Sequence, residues 1–96
     1  MALGGNLASS VGKPQETLKA ALKLLQTSGA VIRATSQFYH TPAFPAGAGP
    51  DYVNAAVRIE APWGPEKALG VLHRIEAQFG RERVQRWGQR TLDLDL

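Results

Sequence analysis

Residues 52–60, YVNAAVRIE, constrain the fold of this chain more than any other stretch. Val53, Ala55, Val57 and Ile59 fall on one side of an extended backbone, and Tyr52, Asn54, Arg58 and Glu60 on the other. That period of two fits a β-strand with one apolar and one polar face. Two helical patterns can cover the apolar face. Pro14 suits the first position of a helix, Glu16 suits its positive end, Leu18, Ala21, Leu22 and Leu25 recur at helical spacing, and Gly29 is a natural stop. Pro65 opens a second helix with a stripe of Ala68, Val71, Leu72, Ile75 and Phe79, closed by Gly80.

Three further stretches read as strands. Met1–Leu3 are expected to form a short one, ending in a turn at Gly4-Gly5-Asn6. Residues 30–40, AVIRATSQFYH, are rich in β-branched and aromatic side chains and are expected to form a single strand. Residues 91–96, TLDLDL, place Leu92, Leu94 and Leu96 on one face and Asp93 and Asp95 on the other. Between the second and third strands, TPAFPAGAGPD holds three prolines and two glycines and is a loop. The expected order is βαββαβ, a ferredoxin-like α+β fold with helices packed on an antiparallel sheet.

The last strand carries the chemistry. Side chains two apart on a strand share a face, with Cα atoms about 6.6–6.8 Å apart. Asp93 and Asp95 therefore lean over one spot, where two carboxylates repel unless a cation lies between them. Such hard oxygen donors suit Mg²⁺, which takes one or two carboxylates together with phosphate oxygens and water. Just before this strand, residues 81–90 hold four arginines against one glutamate and so carry the whole formal net charge of +3. Guanidinium groups grip phosphate oxygens in pairs and never lose their charge. Carboxylates for a metal beside arginines for phosphate are the parts that phosphoryl transfer needs. The plainer alternative pairs these arginines with Glu82 and the two aspartates on a solvated surface. Trp87 can stack on a base or an arginine, or pin its loop to the core. His73 and Glu76 stand three residues apart on the second helix, off its apolar stripe, as nucleotide contacts or as ordinary surface polar groups.

The sequence RWGQRTLDLDL resembles the signature of the hydroxymethyl-dihydropterin pyrophosphokinases of folate synthesis, and ALGGNL, FYHTPAF, DYVNAAV and RIEAQFGRER agree with that family in order and spacing. The resemblance implies transfer of the diphosphoryl group of ATP to the hydroxymethyl group of 6-hydroxymethyl-7,8-dihydropterin, with release of AMP and the use of two Mg²⁺ ions. It implies that Asp93 and Asp95 are metal ligands and that Arg81 and Arg90 hold and neutralise the phosphates. Arg83 and Trp87 fall in a loop that closes over the substrates, and His73 and Glu76 fall at the nucleotide. Thr41, Pro42, Phe44, Tyr52 and Asn54 match the pterin pocket. Asn54 offers a donor and an acceptor, which complements the amide edge of a pterin. His73 stands where the family often has glutamine, and Gln89 where it usually has proline. The family also continues beyond the DLDL strand, so residues 1–96 are expected to be a single but incomplete domain.

Other classes fit less well. With 44% hydrophobic residues and 20% charged, the composition is that of a globular protein. Without cysteine there is no disulfide frame or thiolate metal site, which suits a reducing, cytoplasmic setting. No apolar run approaches the roughly 20 residues that span a bilayer. A ferredoxin-like nucleotide- or RNA-binding module without catalysis is the alternative, yet adjacent Phe38 and Tyr39 would face opposite sides, and aspartates repel a phosphate backbone. The expected partners are the two small-molecule substrates, with no nucleic acid and no membrane, and the expected state is monomeric.

Overall fold

A computed structural model describes residues 1–6, 9–42, 51–79 and 92–95. The elements run β1 (Ala2–Gly5), α1 (Pro14–Thr27), β2 (Val31–Thr35), β3 (Tyr39–Thr41), β4 (Tyr52–Glu60), α2 (Pro65–Gln78) and β5 (Asp93–Asp95). All strand pairs are antiparallel, in the order β2-β4-β1-β5, with β3 also on β4. The ferredoxin-like α+β arrangement expected from the sequence is present.

Two strand boundaries differ from expectation. β1 runs on through Gly4 and Gly5, because each keeps a cross-strand partner on β4, Asn54 and Val53 respectively. The single strand expected over residues 30–40 is two. β2 pairs with residues 57–60 of β4 and β3 with residues 52–54. Ser36 carries the ladder across the break: its N–H donates to the Ala56 carbonyl at 2.8 Å, and its hydroxyl accepts the Ala56 N–H at 2.8 Å. The same hydroxyl donates to the Gln37 carbonyl at 2.8 Å, which turns the chain out of β2. A short polar side chain thus replaces one rung of the ladder.

Both helices lie on one face of the sheet. Leu18, Ala21 and Leu25 of α1 and Val71, Leu72 and Ile75 of α2 are buried against Leu3, Val53, Ala55, Val57, Leu92 and Leu94. Burying one such leucine is worth about 1.5–3 kcal/mol, so the two stripes set which face of every strand points inward. α1 ends as its sequence predicts. Gly29 takes φ +113°, a left-handed value that costs a side-chain-bearing residue, and its N–H donates to the Gln26 carbonyl. The Ala30 N–H reaches back to the Leu25 carbonyl at 3.0 Å, completing a Schellman cap over buried Leu25 and Ala30. Among the described residues, no helix is long and apolar enough to cross a membrane.

Candidate functional site

Helices take one face of the sheet, and the polar residues of the strands point away from it on the other. In an antiparallel pair, directly opposed residues share a face. The registers Tyr39↔Asn54, Asn54↔Gly4 and Gly4↔Asp93 therefore place four residues in one row across the sheet. Thr41 and Tyr52 pair beside this row on one side. Ala56, Ala2 and Asp95 line up beside it on the other.

Asp93 and Asp95 thus stand on the same face, which carries no helix among the described residues, and Leu94 between them points into the core. Asp93 is partly buried and Asp95 exposed. Among the described residues, no three His, Cys, Asp or Glu side chains gather as a metal cluster. Two carboxylates at strand spacing still match the donor set of an ion that completes its shell with water and phosphate oxygens, as Mg²⁺ does.

Asn54 lies two strands away, about 9–11 Å from Asp93 at Cα for two antiparallel steps. Its Nδ2 donates to the Thr41 hydroxyl at 2.7 Å. Tyr52 and Thr41 are half-buried beside it, and Pro42 follows Thr41 at the surface. The structure therefore brings Thr41, Tyr52 and Asn54 together on the face that also carries the two aspartates. Between the amide and the carboxylates the floor is β1, with only Gly4 and Ala2 facing outward.

The expected position of Glu76, off the apolar stripe, is corrected. Glu76 is 2% exposed and its Oε2 accepts the Leu94 N–H at 2.8 Å. It follows Leu72 by one helical turn and lies in the buried seam, facing β5. His73 is exposed, so the two residues do not share a surroundings despite their spacing. Phe44, Arg81, Arg83, Trp87 and Arg90 lie outside the described residues.

Two contributors escaped the sequence reading. Tyr39, 50% exposed, faces the same way as Asn54. Recognising that Ser36 interrupts the strand would have placed Tyr39 and Thr41 on one side by alternation. Gly4 forms the floor at a point where a side chain would meet the Asn54 amide. On the helical side, a groove of about 460 Å³ runs between α1 and the end of α2, lined by Val11, Ala20, Leu24 and Phe79 among others. It is apolar and lies across the sheet from the carboxylates.

The class defined by these observations is a ferredoxin-like α+β domain whose helix-free sheet face sets a pair of carboxylates against a hydrogen-bonded amide. Residues 1–96 match the family described as 7,8-dihydro-6-hydroxymethylpterin-pyrophosphokinase, and the chain belongs to that family. It is 46% identical over 91 residues to the 2-amino-4-hydroxy-6-hydroxymethyldihydropteridine pyrophosphokinase of Haemophilus influenzae, covering 94% of this chain and 57% of that protein. The Synechocystis protein of the same name is 38% identical over 95 residues, 98% of this chain and 46% of that one. A mitochondrial folate synthesis bifunctional protein of Pisum sativum is 38% identical over 90 residues, 94% of this chain and 18% of its own length. The chain thus spans about half the length of the two bacterial relatives.

Proposed function

We propose that this protein transfers the diphosphoryl group of ATP to the hydroxymethyl group of 6-hydroxymethyl-7,8-dihydropterin and releases AMP, in folate synthesis. The observation that carries this reading is the shared face: Asp93 and Asp95 on one side of β1, the Thr41–Asn54 pair on the other, with small residues between. A flat bicyclic ring whose amide edge pairs with Asn54 can lie across Gly4 and extend its hydroxymethyl arm toward the carboxylates. The names of the relatives, pyrophosphokinases acting on this pterin, support the same substrate.

The residues take distinct parts. Asn54, with Thr41, Pro42, Phe44 and Tyr52, binds and orients the pterin. Asp93 and Asp95 are the residues that would hold two Mg²⁺ ions, whose charge would neutralise the triphosphate. Arg81 and Arg90 grip the phosphates, and His73, Arg83 and Trp87 contact the nucleotide. Glu76 belongs to the nucleotide side of the site through β5, since its buried bond to Leu94 holds the strand from which both aspartates project. In the reaction, the hydroxymethyl oxygen bonds to the β-phosphorus and gives up its proton to solvent. The bond from that phosphorus to the oxygen bridging the α-phosphate breaks, and AMP leaves with the electron pair. Catalysis in such transfers rests on positioning and charge stabilisation. The paired aspartates would repel a nucleic-acid backbone, which favours small-molecule substrates over an RNA-binding role. A monomer working in the cytoplasm accords with this reading.

Incubation of the intact protein with ATP, Mg²⁺ and the pterin, followed by phosphorus NMR, tests it. AMP and a pterin diphosphate ester should appear in equal amounts. Formation of ADP, or no transfer, would overturn the proposal.

A further inference from the structure

Asn54 is held from two sides. Its Nδ2 is committed to the Thr41 hydroxyl at 2.7 Å. On the other side of the amide, Oδ1 lies over Gly4, so close that a Cβ built on Gly4 would stand 2.7 Å from it. That is well inside the closest approach of carbon and oxygen, whereas the Val53 carbonyl, 3.7 Å from the same point, would be an ordinary contact. Gly4 sits in a regular strand, paired with Asn54 and Asp93, and has no left-handed φ to accommodate. Its lack of a side chain is therefore required by the approach of the amide and not by the backbone.

We propose that Gly4 and Thr41 are positioning residues that together fix the orientation of the Asn54 carboxamide. The Thr41 hydroxyl accepts from Nδ2, and Oδ1 is the amide atom that lies over Gly4. The amide therefore presents its carbonyl toward β1 and the carboxylates, and its nitrogen toward β3. A ligand lying across Gly4 must bring a hydrogen-bond donor to that oxygen. A cyclic lactam or guanidine-like N–H on a flat heterocycle meets the condition, whereas a ring offering only acceptors does not. This inference rests on the proposed pterin substrate and names the residues that give Asn54 its selectivity. A side chain at position 4 would lift the amide off Thr41.

The test uses the intact protein, with binding of 6-hydroxymethyl-7,8-dihydropterin and of a non-hydrolysable ATP analogue with Mg²⁺ measured separately. Losing a well-placed amide pair should weaken pterin binding about tenfold or more in Gly4→Ala, with nucleotide affinity within about twofold of the parent. Thr41→Val, nearly the same shape without the acceptor, should also weaken pterin binding. In both variants the side-chain NH₂ signals of Asn54 should shift in nitrogen–proton correlation spectra of the ligand-free protein, which a general loss of stability would not produce. In an Asn54→Ala background, Gly4→Ala should cost at most a further twofold. Unchanged pterin affinity in a folded Gly4→Ala protein, unmoved Asn54 signals, or an equally large cost when Asn54 is already absent would each overturn the inference. A parent protein that binds nucleotide but no pterin would instead overturn the substrate reading on which it stands.

Discussion

Replacing Glu76 tests whether α2 holds the strand that carries the two aspartates. The Glu76 carboxylate is 2% exposed, and its bond to the Leu94 N–H is 2.8 Å long and buried. On its other flank, among the described residues, β5 pairs with β1 through Ala2, Leu3 and Gly4. Glu76→Ala removes a hydrogen bond to a charged acceptor, worth about 1.5–3 kcal/mol, and exposes Leu94 to the cost of an unmet buried N–H. It also leaves a void, offset in part by the end of the cost of keeping a carboxylate out of water. The net expected loss is about 2–4 kcal/mol. Glu76→Gln keeps an oxygen at the same place, and its expected loss is about half of that. Urea unfolding read by circular dichroism measures both, through a lower midpoint at unchanged slope. Hydrogen exchange at the Leu94 amide should rise at least about tenfold in Glu76→Ala, matching loss of local protection. Losses within about 0.5 kcal/mol of the parent, or equal losses for the two variants, would refute the reasoning.

Two other perturbations follow from the same geometry. Gly29→Ala forces a side chain into φ +113° and should cost about 1–2 kcal/mol, seen as a lower urea midpoint with no change in ligand binding. Ser36→Ala removes the hydroxyl that accepts the Ala56 N–H, and should cost about 0.5–1.5 kcal/mol and speed exchange at the Ala56 amide while β2 and β3 keep their register.

The alternation in residues 52–60 and the two helical stripes were enough to place the buried side of β4 and of both helices, because burial enforces periodicity. The same alternation put Asp93 and Asp95 on one face before any coordinates, and the structure agrees. Three features lay beyond such reading. The break between β2 and β3 depends on Ser36 meeting Ala56, a residue 20 positions later. The burial of Glu76 depends on an N–H supplied by Leu94, 18 residues on. The role of Gly4 appears only once Asn54 lies opposite it on β4. Each is a pairing of distant polar groups, and a local pattern of apolar residues carries no trace of it.

Calorimetry of a non-hydrolysable ATP analogue, with Mg²⁺ and with chelator, tests the paired carboxylates most directly. The intact protein should bind the nucleotide at least about tenfold more tightly with Mg²⁺ than without, and Asp93→Asn with Asp95→Asn should abolish that difference while the protein stays folded. Equal affinity with and without the metal in the parent, or a metal effect that survives the double substitution, would contradict the account.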